Sequence, residues 1–289
     1  MHHRQLVREL ASLECSPIVV GSHPRSGTHL TIDLIRNHIR GARGWKFPGE
    51  PLDALFVDLD WLGSPLHKGF ETRAIRTFRR IPHCLIKTHT PFGWKSWLDR
   101  ARSNPELSPW ADWLRDRCSV VYVHRDGRSA LCSWHLMSKY RNEEARQPLS
   151  DWLRQSEIQT GLSRPAAWAK HLESWSSEGV YTIDSKSVQS SPEGFLNSLC
   201  NQFGCELLDK PVALPVQWSS LFRRRLARAF CTHVESTSQM GRYLGKQPQK
   251  WQAAFSPEDR AFFHKEAGAT LQKFGYVQDS SWVKGGELD

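Results

Sequence analysis

Three short segments carry side chains whose types and spacing could do chemistry. Gly21-Ser22-His23-Pro24-Arg25-Ser26-Gly27-Thr28 places a cation and three hydroxyls in a turn bounded by glycines. Where such a turn joins a strand to a helix, its backbone N–H groups and the positive end of the helix dipole converge on one point, which suits an anion such as phosphate. The pattern departs from GxxxxGK[ST]: five residues separate Gly21 from Gly27, and no lysine precedes Thr28. The cation is Arg25, inside the loop. A P-loop kinase sets its lysine on the β/γ-phosphates and its hydroxyl on Mg²⁺; here a guanidinium fork comes without an evident magnesium site, so a shorter, metal-free anion is expected. A tight turn capped by Ser26 or Thr28 is the plain structural alternative.

Lys87-Thr88-His89-Thr90-Pro91 is the second segment. An imidazole titrates near neutrality and can take a proton, and Lys87, two residues earlier, lies on the same side of an extended chain. A hydrogen-bonded structural histidine is the alternative. In the third segment, Arg125-Asp126-Gly127-Arg128 is followed by Ser133, eight residues after Arg125. A guanidinium at a strand exit and a hydroxyl in the early turns of the next helix suit a phosphate dianion. The competing reading is a solvated turn with Ser133 as helix filler.

These segments need elements to position them, and the sequence supplies alternating strand and helix signals. Ile18-Val19-Val20, His83–Lys87, Ser119–His124 and Gly179–Asp184 read as strands. Leu30, Ile32, Leu34, Ile35 and Ile39 predict a mostly buried helix after the first strand, and SALCSWHLMSKY a helix after the third. Further helices are predicted over Pro165–Ser177, from about Ser191-Pro192-Glu193, and over Ser256–Phe274. Such alternation implies an α/β fold with a parallel β-sheet flanked by helices on both faces, and ligands at the C-terminal ends of the strands. All three segments follow strands.

Composition narrows the classes. With 289 residues, 39% hydrophobic, and neither repeat nor low-complexity tract, one domain over 1–289 is expected, with its core at about 16–278. Apolar runs such as Ile18–Val20 fall far short of the ~20 residues of a membrane span. Arg4, Glu9 and Glu14 interrupt any signal-peptide core, so the first residues read as a surface helix. Seven scattered cysteines without paired spacing suit reduced thiols and a cytoplasmic protein; Cys200 and Cys205 fall in a helix and its exit loop, and no metal motif is present. The net charge of +9 points to an anionic partner without choosing among nucleic acid, polysaccharide, lipid and a phosphorylated cofactor. The basic run Phe222–Arg228 reads as a helix with a solvated face.

His23-Pro24-Arg25-Ser26-Gly27-Thr28 resembles the 5'-phosphosulfate loop of the sulfotransferases that use 3'-phosphoadenylyl sulfate (PAPS), usually PKSGT or PRSGT before a helix. Lys87–Pro91 is similar to the KTHLP segment of the cytosolic members, and Arg125 with Ser133 to the family's 3'-phosphate motif. The resemblance is firm over about residues 16–135. It implies a P-loop-kinase-like sulfotransferase fold and sulfuryl transfer from PAPS to a hydroxyl or amine, without a metal. His89 would be the general base, with Lys87 and Arg25 beside the transferring group. Arg25, Ser26, Gly27, Thr28 and His29 would hold the 5'-phosphate, and Arg125 and Ser133 the 3'-phosphate.

Elsewhere the match thins. Gly241-Arg242-Tyr243-Leu244-Gly245-Lys246 resembles the C-terminal clamp without its RKG order, so Arg242, Gly245 and Lys246 are its implied cofactor contacts. The family's adenine-stacking tryptophan is Leu30 here, and its Tyr-Glu pair falls at about Ser185-Lys186. His171 and Trp175, four apart on one helix face, match a packing feature. Segments 45–70 and 139–162 are expected to line the acceptor, which is a small molecule or carbohydrate; 13 tryptophans could serve stacking or core packing. Neither a nucleic-acid partner nor a membrane span is expected, and the oligomeric state is open. The rival readings are a P-loop nucleotide kinase or hydrolase and a nonenzymatic polyanion-binding module.

Overall fold

The computed structural model describes residues 3–64, 66–67, 69–139, 147–176, 179–216, 225–226, 229–230, 234, 236–238 and 250–284. Five strands, β1 (Ile18–Gly21), β2 (Val57–Asp58), β3 (Leu85–Thr88), β4 (Ser119–His124) and β5 (Val180–Asp184), form one sheet in the order β2-β3-β1-β4-β5. Every pairing is parallel, as the alternation of strand and helix signals predicts. β1 lies at the centre, between β3 and β4, with Gly21 opposite Thr88 on one side and Tyr122 on the other. The chain reverses its direction of travel across the sheet at β1, which is where such folds open a crevice.

Period-two side-chain alternation divides the core between the two faces. Val19, Val57, Ile86, Val120 and Tyr122 enter one apolar cluster, with α1 (His3–Ala11), α3 (Phe70–Arg80), α4 (Trp94–Arg102), α5 (Ser108–Arg115) and α8 (Arg164–Trp175). Ile18, Val20, Leu85, Val121 and Val123 enter the other, with α2 (Thr28–His38) and α10 (Pro192–Phe203). The N-terminal surface helix is amphipathic, burying Leu6 and Leu10.

The predicted elements recur with small shifts, apart from the helix over the basic run Phe222–Arg228, most of which lies outside the described residues. The second predicted strand begins two residues later and includes Thr88, and a short helix, α9 (Ser185–Ser190), precedes α10. β2 was not foreseen: two residues carry no periodicity, and it lies inside the segment 45–70 expected to line an acceptor. The helix predicted after β4 is α6 (Gly127–Lys139), a short α7 (Leu149–Arg154) comes before α8, and a late helix spans Pro257–Lys273 behind a capping box between Ser256 and Asp259. Trp110, Trp152, Trp168, Trp175 and Trp282 are fully buried, so much of the tryptophan content is core.

Candidate active site

The loop between β1 and α2 departs most from relaxed backbone. Arg25 takes φ 70° and Gly27 φ 104°, values natural to glycine and costing other residues about 1–2 kcal/mol. Such strain persists where the surroundings dictate it. α2 starts on Gly27 without a side-chain cap, and Ser26 Oγ is buried with no hydrogen-bond partner among the described residues. An uncapped first turn and an unsatisfied buried hydroxyl fit a bound anion. Gly21 is fixed for another reason: a Cβ there would lie 2.6 Å from the Trp175 ring.

Arg25 and the strand-exit pair, far apart in sequence, meet here. Arg25 Nε donates to Ser133 Oγ at 3.1 Å, and its Nη1 lies 3.9 Å from Met137 Sδ. Arg125 Nη1 donates to the Arg25 carbonyl at 3.5 Å. Two guanidinium groups and a hydroxyl therefore surround the mouth of the loop. Arg128, by contrast, is no part of a solvated turn. It makes a buried ion pair with Asp126 at 2.8 Å and lies over the Trp251 and Trp282 rings, 4.0 and 4.7 Å from their centroids.

His89 is held on several sides. Its Nδ1 lies 2.7 Å from the Ser22 carbonyl oxygen, which can only accept, so Nδ1 carries the proton and Nε2 the lone pair. The His89 backbone N–H donates to Asp60 Oδ2 at 2.9 Å, and Thr88 Oγ1 donates to Asp60 Oδ1 at 2.7 Å. Lys87 Nζ is paired with Asp58 Oδ2 at 2.6 Å. Burial first, then the Lys87 ammonium, holds the His89 pKa well below the ordinary imidazole value, against the pull of the Ser22 carbonyl. A neutral imidazole with a defined lone pair can accept a proton at physiological pH.

Behind it, His171 Nε2 lies 3.4 Å from the His89 carbonyl oxygen and Nδ1 2.9 Å from the Tyr122 hydroxyl; burial lowers the His171 pKa to about 4. Trp175 stacks on Tyr122 and donates Nε1–H to the Thr90 carbonyl at 3.1 Å, consistent with the expected packing role.

Asp58 and Asp60 escaped the sequence reading, as did the contact of the Ser22 carbonyl to His89; the one signal for the aspartates was two carboxylates alternating within the apolar run Phe56–Trp61. His29, in the first turn of α2, reaches Thr237 Oγ1 at 2.9 Å and meets the Phe56 ring edge-on. Leu30 is half-buried, and Ser185 is buried with its Cβ 3.2 Å from where a Gly27 Cβ would stand. Arg242, Gly245 and Lys246 lie outside the described residues. A cavity of about 700 Å³ borders Trp61, next to Asp60, with His67 stacked on that indole and Glu71 and Glu106 also in its wall. Among the described residues no group of three metal-ligating side chains occurs, and no helix is long and apolar enough to cross a membrane.

With this parallel sheet and its flanking helices, the chain has the fold of the sulfotransferases. Mouse sulfotransferase SULT7A1 complexed with PAP is similar at a TM-score of 0.52 and 15% identity, over 98% of this chain and 94% of that one. Retinol dehydratase, in complex with androsterone and inactive cofactor PAP, is similar at a TM-score of 0.51 and 14% identity, over 93% of this chain and 86% of that one. No family model matches the sequence, and no curated protein does.

Proposed function

We propose that the chain, as one domain over residues 1–289, transfers a sulfuryl group from PAPS to a hydroxyl or amine acceptor. The observation that carries this reading is the meeting of Arg25, Arg125 and Ser133 at an uncapped helix start, on the same strand edge as an imidazole with a fixed lone pair. Ser26, Gly27, Thr28 and His29 with Arg25 would take the 5'-phosphate, and Arg125 with Ser133 the 3'-phosphate. PAPS supplies an activated sulfuryl group. Arg242, Gly245 and Lys246 stay assigned to the cofactor on resemblance alone.

In the reaction, His89 Nε2 takes the acceptor proton as the acceptor atom bonds to sulfur, while the bond from sulfur to the bridging phosphate oxygen breaks. Arg25 stabilises charge developing on the leaving phosphate, and Lys87, tempered by Asp58, acts on the sulfuryl oxygens. The cavity beside Trp61 is walled in part by the segment 45–70 expected to line the acceptor, and in part by His3, Leu6, Pro105 and Glu106. Both similar structures are described with PAP, which favours this reading over a magnesium-dependent kinase.

The deciding measurement is the melting temperature with adenosine 3',5'-bisphosphate (PAP) or ATP–Mg²⁺. A rise with PAP is expected. A rise with ATP–Mg²⁺ alone would mark a kinase, and indifference to both, with steeply salt-dependent polyanion binding, a nonenzymatic module. A PAPS-dependent transfer screen over phenols, sugars, amines and lipids then identifies the acceptor.

A further inference from the structure

The helix that opens on the anion loop also grips a distant part of the chain. His29, Asp33 and Arg36 are four and three residues apart, so they form one stripe along α2. All three face residues 234 and 236–238. His29 Nδ1 lies 2.9 Å from Thr237 Oγ1. The backbone N–H of Thr237 donates to both Asp33 carboxylate oxygens, each at 2.9 Å. Arg36 Nη1 donates to the Val234 carbonyl at 3.2 Å and to Asp33 Oδ1 at 3.4 Å. The segment lies outside the five-stranded sheet, and side chains of α2 supply the donor and acceptor that a neighbouring strand would otherwise provide.

This arrangement is costly if its only purpose is cohesion. Asp33 and Arg36 are each 1% exposed, and a buried ion pair is commonly no more stabilising than apolar side chains of the same volume. Burial pushes the Asp33 carboxyl up to about 6 in spite of Arg36 and Thr237. What charged partners add over apolar ones is a defined register: the backbone N–H of Thr237 sits on the carboxylate, and that choice sets Thr237 against His29, two residues beyond Gly27.

We propose that Asp33, with Arg36, is a positioning residue that clasps Val234 and Thr237 onto α2, so that affinity for the phosphorylated cofactor depends on a carboxylate that does not touch it. The inference rests on the sulfotransferase reading for the identity of that cofactor. Through His29 and Thr237 the clasp links the chain's C-terminal third to the anion loop, and loosening it releases the first turn of the helix that receives the phosphate.

The test measures PAP affinity by calorimetry and amide hydrogen exchange at Thr237. Asp33→Asn alone would strand a buried arginine and could unfold the chain, so the informative variant is Asp33→Asn/Arg36→Met, which removes both charges at similar volume. It is expected to weaken PAP binding about tenfold and speed Thr237 exchange at least about tenfold, with kcat at saturating PAPS unchanged. Thr237→Val, which keeps the backbone N–H clasp and loses the hydroxyl's contacts to His29 and to the Asp33 carboxylate, is expected to weaken PAP about threefold with Thr237 exchange still slow. A folded double variant with wild-type PAP affinity overturns the proposal, as does fast Thr237 exchange in the wild type. Wild-type protein that fails to bind PAP overturns the sulfotransferase reading and the cofactor role of the clasp with it. Slow exchange that the double variant loses would still establish the clasp itself.

Discussion

The two halves of the site are finished to different degrees. Around His89 the groups are already paired: Nδ1 with the Ser22 carbonyl, the backbone N–H and Thr88 hydroxyl with Asp60, and Lys87 with Asp58. Around Arg25 the guanidinium groups also have partners, Arg25 Nε on Ser133 Oγ and Arg125 Nη1 on the Arg25 carbonyl, but Ser26 Oγ lacks one among the described residues, α2 has no side-chain cap, and Arg25 itself sits at φ 70°. On the proposed function, a base must hold one tautomer and one orientation before an acceptor arrives, which internal partners provide. An anion site must keep donors in reserve, because a donor satisfied internally has to be freed before it can bind the guest.

The sharpest way to break this contrast is His89→Ala. Loss of a positioned base should lower the transfer rate about 10²–10⁴-fold while PAP affinity, measured by calorimetry, stays near wild type. A rate that survives would assign the proton to another group. Arg125→Ala and Ser133→Ala should do the reverse. Each removes a charge-assisted contact, and PAP binding is expected to weaken by about 1.5–3 kcal/mol, roughly 10- to 150-fold, with the smaller loss at Ser133. Equal affinity in both variants would move the 3'-phosphate elsewhere.

The smallest effects are those of pH. His23, His89 and His171 all have pKa values lowered by burial, so the unfolded chain binds protons that the folded chain refuses. The Asp33 carboxyl, raised to about 6 and protonated longer in the folded chain, opposes them, so unfolding free energy should rise with pH up to about 6.5 by less than the three histidines alone would give, which urea midpoints at pH 5 and 7 would show. For the same reason the acid limb of kcat/KM should lie well below pH 6.5, since His89 stays neutral there. A limb at 6.5 or above would mean that this imidazole is solvated and that the base half is less tightly set than its contacts indicate.

How much could be read in advance follows the same division. The anion loop was legible because its chemistry is local: Gly27 stands where φ is positive, and Arg25 and Ser26 are its neighbours. The contacts that fix His89 were not. Asp60 is 29 residues away and Ser22 67 residues away, joined to it because β1 and β3 pair in parallel and β2 lies alongside β3. Arg128 shows the same limit, since a charged turn residue becomes a buried ion pair under two indoles supplied by the chain's last third.

By itself the sequence determined the parallel α/β class, four of the five strands to within two residues and the residues of the loop after β1, because periodicity and turn chemistry act over a few residues. Tertiary structure decided which oxygen sets the tautomer of His89, that Arg25 reaches Ser133, and that Asp33 holds Thr237 across 204 residues. Those are pairings between elements, and their partners are chosen by sheet order and helix packing, which no short stretch of sequence encodes.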